Sequence, residues 1–291
     1  MSSDIMPMAE PRPRRQRSQS SEATDAALLF DEPGPRGRIL IAIGSVVAVI
    51  GIAALAAAVL YRLDLAGQLD YPKWRYFLGQ SVVSQLLEAA GTTLTLGGVA
   101  AVLTFPLGIA LGWLRLLDNR PIRWLVGLWI DAMRAVPMLL LVYFFLLVVP
   151  RFATISDFWK LALPIVMCTS ATTAEVFRSG VRALDRGQTE AAWALGMSPS
   201  LTMRLILAPQ ALRLMLPTLI TQMVTIIKGT TLAYVLAYPE LMYRGSTMIG
   251  QAKIDAHLSV FFQTYVIIAV LYIIVNWSLG ALARYIESRT R

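Results

Sequence analysis

Three sets of ionisable residues interrupt long apolar runs, and these are the places where the chain could do chemistry. Arg134 stands in Arg134-Ala135-Val136-Pro137 with Asp131 three residues before it, and Glu175 and Arg178 repeat that spacing. Lys228 completes a stripe with Thr221 and Thr225 and is followed by Gly229-Thr230-Thr231. A cation left unpaired in hydrocarbon costs at least ~2.5 kcal/mol, so each must face the protein interior, a partner or a water-filled route. The i, i+3 spacing puts Asp131 with Arg134, and Glu175 with Arg178, on one helical face each, where they can form structural ion pairs. Two readings stand for Arg134. It is half of a self-paired unit on a helix kinked at Pro137, or a pathway-lining cation that attracts a substrate carboxylate. Two also stand for Thr225, Lys228, Thr230 and Thr231: the wall of a translocation route, or polar glue between packed helices.

Bond-making chemistry finds little to work with. Cys168 is the single cysteine and lies in an apolar run, and His257 is the single histidine. That leaves no Cys- or His-cluster metal site and no histidine relay. No glycine precedes any of the four lysines, so the phosphate-cradling P-loop sequence is missing. If ATP drives this chain, another chain hydrolyses it, and no cofactor or metal is expected here. An intramembrane hydrolase would need a nucleophile and base at membrane depth, whereas His257 falls in an outer loop.

The elements that must position these residues are spans. The 291 residues are 56% hydrophobic and 15% charged, against about 25% charged in an ordinary soluble domain. The sequence predicts an all-α integral membrane protein with six transmembrane helices, at about 39–60, 88–114, 124–149, 161–178, 216–237 and 259–283. Residues 39–60 reach ~33 Å at 1.5 Å per residue, enough for the hydrocarbon core, and are too long and too late for a signal peptide. Before them, 1–38 read as a disordered, basic cytoplasmic tail rich in Pro, Ser and Arg, able to meet anionic lipid. Residues 61–87, with Tyr71, Trp74, Tyr76 and Phe77, read as an extracytoplasmic, interfacial segment.

Charge tests this topology. With the N-terminus inside, the cytoplasmic pieces hold 17 of the 26 Lys and Arg and the outer pieces 7. The bias places both termini, including 286–291, in the cytoplasm. Position therefore accounts for the net charge of +8, with no call on nucleic acid.

One polar stretch on that side is built for docking. Gly187 and Gly196 bracket a short helix, Gly187-Gln188-Thr189-Glu190-Ala191-Ala192-Trp193-Ala194-Leu195-Gly196. Gly196 suits the left-handed C-terminal position, Glu190 is expected in the first turn, and Ser198-Pro199 restart the chain as N-cap and first-turn proline. Ala191, Ala192 and Ala194 allow close approach, and Trp193 and Leu195 offer contact area.

Glu190-Ala191-Ala192, then Gly196, then Ile206-Leu207-Ala208-Pro209, resemble the EAA loop of ABC-importer permeases. The fuller string from Gly187 to Met197, with Pro209-Gln210-Ala211 and Leu216-Pro217, resembles the polar-amino-acid branch, and Leu232-Ala233-Tyr234-Val235-Leu236 looks most like its glutamate-type permeases. The resemblance implies a five-helix permease core over 88–285 with a coupling loop at 180–209, outside which the first helix and tail are additions. Gly187, Gln188, Glu190, Ala191, Ala192 and Gly196 would then couple to the ATPase. It further implies two ABC ATPase subunits, a second permease subunit (the same or homologous), an extracytoplasmic solute-binding protein and alternating access. Arg-x-x-Pro at Arg134–Pro137 resembles a feature shared by amino-acid permeases. Ala174-Glu175-Val176-Phe177-Arg178-Ser179-Gly180-Val181 also fits the family, although Thr172-Thr173 stand where it has an aromatic. Gly229 and Thr231 replace the Asp and Ser of its Lys-Asp-Thr-Ser. An ion-coupled secondary amino-acid transporter is the rival. It would need midplane carboxylates, and the sequence offers only Asp131 and Glu175, both beside arginines.

Overall fold

The computed structural model describes residues 34–290; the expected tail up to residue 33 lies outside that range. The described residues fall into two units, one ending at Ala66 and the other beginning at Gly67. The first contains α1 (Pro35–Leu65), entered through a proline in its first turn. It is apolar all round, without a preferred face and without a buried residue, a pattern stable in lipid or inside protein but not in water.

The second unit begins with α2 (Tyr71–Arg75) and a 3-10 turn, Tyr76–Leu78. The long helix α3 (Gln80–Leu114) follows, starting eight residues before the expected span at 88. Next come α4 (Arg120–Ala135), α5 (Met138–Leu147) and α6 (Asp157–Arg182). The short α7 (Arg186–Ala194) leads into α8 (Pro199–Leu236). The chain closes with α9 (Leu241–Asp255) and α10 (Phe261–Thr290). No strand occurs among the described residues.

By length and composition four helices among the described residues can cross a membrane: α1, α3, α8 and α10. The pair α4 and α5 makes a fifth if counted as one span. The expected six would need α6 as well, which is 26 residues long but carries charge at both ends.

The structure corrects two of the expected spans. The third is not a kinked continuous helix, because α4 and α5 meet at 95°. Pro137 offers no N–H, and Val136 before it takes an extended conformation (φ −76°, ψ 127°), so the chain turns instead of bending. The fifth begins at Pro199, not 216, because helix runs without a gap from there to Leu236. Pro209 sits in the first turn of the segment Ala208–Gly229, and a π-helical turn, Met203–Leu207, joins that segment to the first four residues.

The core is the crossing of α3 and α6, the most extensive helix contact among the described residues. Gly108 and Gly112, one turn apart, make it close. A Cβ at Gly112 would lie 2.6 Å from the Ala174 carbonyl oxygen, and one at Gly108 would lie 2.9 Å from that of Ser170. This is small-xxx-small packing, which gains van der Waals contact where lipid tails offer no hydrophobic drive. A buried Thr104–Thr169 hydroxyl bond of 2.8 Å ties the same pair together.

Candidate functional site

The elbow forms much as its residue types require. Asp185 caps α7, accepting from the Gly187 N–H at 2.7 Å. Glu190 is therefore not in the first turn, as expected from sequence, but one turn further along and exposed. The end of α7 closes as a Schellman motif. Gly196 takes φ +78°, its N–H donates to the Trp193 carbonyl at 2.9 Å, and the Met197 N–H donates to that of Ala192 at 3.0 Å. Ser198 then caps α8 by accepting from the Leu201 N–H at 3.3 Å.

Ala192 faces inward, whereas Trp193 and Leu195 are 55% and 82% exposed. A helix so short has little stability of its own, so what ties it down matters. Gln210 Nε2 donates to Gln188 Oε1 at 2.7 Å and to the Ile206 carbonyl at 3.0 Å. That bond fixes the start of α7 to α8, one turn beyond the π-helical segment. Gln188 was read from sequence as a coupling residue; the role of Gln210 was not, although it stands in the Pro209-Gln210-Ala211 string.

Charges at the C-terminal end of α3, along α4 and in the last turns of α6 form a network. Glu175 and Arg178 pair within α6, as their spacing predicts. Asp131 and Arg134 do not pair. Arg115, just past α3, reaches Asp131 through two nitrogens at 3.1 and 3.2 Å and Glu175 at 2.9 Å. Its guanidinium fork engages both oxygens of Asp131 with parallel charge-assisted bonds. Arg134 has no ion-pair partner among the described residues and is exposed in the last turn of α4.

Of the stripe on α8, Thr221, Thr225 and Lys228 share one exposed face, with Thr231 partly exposed beside them. Their hydroxyls are satisfied along the helix. Thr225 donates to the Thr221 carbonyl at 3.1 Å and Thr231 to that of Lys228 at 2.7 Å. Thr230 departs from the stripe. It is fully buried, donates to the Ile227 carbonyl at 2.7 Å and packs near Gly97 of α3. A Cβ at Gly229 would lie 3.4 Å from the Met138 sulfur. The turn after Pro137 and the Lys228–Gly229 step therefore lie side by side, which brings two separately predicted stretches together.

Sequence reasoning missed a second polar centre. Glu240 is fully buried at the start of α9. It accepts from the Met242 and Tyr243 N–H groups at 2.9 and 2.8 Å and from the Tyr272 hydroxyl at 2.7 Å. Burial pushes its carboxyl above the usual carboxylate range, against the pull of those hydrogen bonds. Thr93 of α3 joins it by accepting from the Leu241 N–H at 3.2 Å. The only sequence signal was a lone glutamate ahead of a moderately polar run.

Residues 104–291 match the family described as binding-protein-dependent transport system inner membrane component. The glutamate transport system permease protein GluD of Corynebacterium glutamicum is 34% identical over 230 residues, 77% of this chain and 82% of that one. The glutamate/aspartate import permease protein GltK of Escherichia coli O157:H7 is 29% identical over 214 residues, 70% of this chain and 93% of its own. Among solved structures, one described as an amino acid ABC transporter with histidines aligns over 72% of this chain and 95% of its own. Its TM-score is 0.64 at 24% identity, a likeness of fold.

Proposed function

Because this chain belongs to the family of binding-protein-dependent transport system inner membrane components, we propose that it is the permease subunit of an ATP-driven importer of polar amino acids. Glutamate, aspartate or glutamine is the favoured cargo. The observation that carries this reading is the α7 elbow: a preformed helix, bonded to a span through Gln188 and Gln210, that holds Trp193 and Leu195 out to solvent. Its groove-filling residues fit a cytoplasmic ATPase, with Gly187, Glu190, Ala191, Ala192 and Gly196 setting the shape. Two ATPase subunits, a second permease subunit and an extracytoplasmic solute-binding protein complete the assembly. ATP binding then supplies the differential affinity that shifts the spans between inward- and outward-facing states. The chain itself does no bond chemistry and needs no cofactor.

Topology and cargo follow from charge. Six spans with both ends in the cytoplasm agree with the Lys and Arg bias, and α6 serves as the span that composition alone leaves out. Lys228 and Arg134 are exposed on single-chain faces at span depth, where lipid contact would be costly. A second subunit or an aqueous route against those faces removes the cost, and cations there suit a cargo carboxylate.

The test is co-purification of the tagged chain with its ATPase, and uptake of labelled glutamate in cells, for wild type, Gly196→Asn, Gly196→Asp and Ala192→Asp. Asn and Asp both tolerate the left-handed conformation, so Gly196→Asn keeps both association and uptake, while the charge that the two Asp variants put into the contact face removes both. Association and uptake that survive the Asp variants would refute the elbow's role. Uptake that ignores Lys228→Ala and resists competition by unlabelled aspartate would refute the cargo assignment alone.

A further inference from the structure

Beside the α3–α6 crossing, a cavity of ≈370 Å³ opens between the inner ends of α3, α4 and α6. Its wall carries Arg115, Arg123, Arg178 and Arg182 against the single carboxylate of Asp131. Glu175 stands behind them, bonded to Arg115 and Arg178. Two acids therefore meet four guanidinium groups. Arg123 and Arg182 have no ion pair among the described residues, and both are exposed. An arginine fork is matched in geometry to the oxygens of a phosphate. The rim is of opposite character: Trp124 and Leu128, which also line the cavity, are 67% and 55% exposed, and Leu125, 60% exposed, lines the neighbouring groove with Leu107 and Leu111. A tryptophan and leucines outward on a helix, one turn from clustered arginines, are what the boundary between head groups and acyl chains selects.

We infer that this cavity binds the phosphate of an anionic phospholipid from the cytoplasmic leaflet, its acyl chains lying along Trp124 and Leu128. The inference rests on the cytoplasmic placement of these helix ends given under Proposed function. Free phosphate shares the head-group chemistry, but has no use for the apolar rim.

Native mass spectrometry of the full chain, purified in detergent and titrated separately with phosphatidylglycerol, phosphatidylcholine and inorganic phosphate, tests it. Phosphatidylglycerol is retained over phosphatidylcholine, and the double variant Arg123→Gln/Arg182→Gln weakens that retention about thirtyfold, the effect of two cations at an anionic surface. A matched pair outside the cavity, Arg204→Gln/Arg213→Gln, changes it by less than about threefold on the same scale. Asp131→Asn removes the wall's own anion and tightens binding, so the inference is checked even if the double variant folds poorly. Equal retention of the two lipids, indifference to Arg123 and Arg182, or inorganic phosphate binding as tightly as phosphatidylglycerol would each overturn it. Orientation is read separately, by labelling Asn119→Cys from either side of the membrane. Outward labelling would overturn the topology and the lipid leaflet together, while lipid results negative on an inward-labelled chain would overturn this inference alone.

Discussion

Arg115 is the residue whose loss the structure prices most directly. Arg115→Gln removes a guanidinium that serves two helices at once. Its bond to Asp131 is largely solvated, that carboxylate being 59% exposed, and such pairs contribute about 0–1 kcal/mol. The bond to Glu175 is sheltered, with the two side chains 17% and 21% exposed, and a hydrogen bond to a charged group there contributes about 1.5–3 kcal/mol. Glu175 keeps Arg178, which limits the loss toward the lower figure, so the total is about 2 kcal/mol. For a chain of this size that lowers the thermal midpoint by about 3 °C, measurable on the purified protein by intrinsic tryptophan fluorescence. Double-mutant cycles divide the loss. The coupling of Arg115→Gln with Glu175→Gln should exceed its coupling with Asp131→Asn, and Arg115→Lys should recover less than half, because a point charge cannot bridge both carboxylates. A neutral Arg115→Gln, or a larger coupling to Asp131, would show that burial is the wrong guide to this network.

Packing and burial give two further tests. Gly112→Ala places a methyl 2.6 Å from the Ala174 carbonyl oxygen, and α3 and α6 must part; the cost should be about 1–3 kcal/mol by thermal unfolding. Gly98→Ala, on the same helix with nothing within 4 Å, should be neutral or mildly stabilising. Equal effects at the two positions would refute the close crossing. For Glu240, a carboxyl raised by burial binds its proton more tightly folded than unfolded. Stability from that group is full below the ordinary glutamate pKa, about 4.3, and is lost as pH rises through the raised folded value. Glu240→Gln should flatten this part of the stability profile; a profile unchanged by the substitution would mean the carboxyl is not protonated on folding.

What could be read in the sequence was what is local. Gly196 and Ser198 announce the ends of two helices because a left-handed residue and an N-cap are chosen by their immediate backbone, and both sit as expected. Apolar runs likewise marked α1, α3 and α10. Asp131 shows the limit. Its spacing to Arg134 was visible, whereas the arginine that wins it comes from another helix, 16 positions away. The 95° turn at Pro137 was undersized as a kink, since a proline tells only that a hydrogen bond is lost and the surrounding packing decides how far the chain swings. Pro209 shows the opposite case, because it follows the π-helical turn at Met203–Leu207 and helix continues through it to Leu236. Glu240 was overlooked because burial of a single carboxylate depends on Thr93 and Tyr272, remote partners that no spacing reveals.

The unbroken course of α8 has a mechanical meaning. Its 38 residues make a rod about 57 Å long, and the Gln188–Gln210 bond clamps the elbow about a third of the way along it. A tilt of about 5° at the clamp carries the far end, about 39 Å away, through about 3 Å. Leverage of this kind needs stiffness more than contact. The π-helical turn at Met203–Leu207 and the proline at 217 are the two weak sections of the shaft, and Lys228 rides beyond both of them.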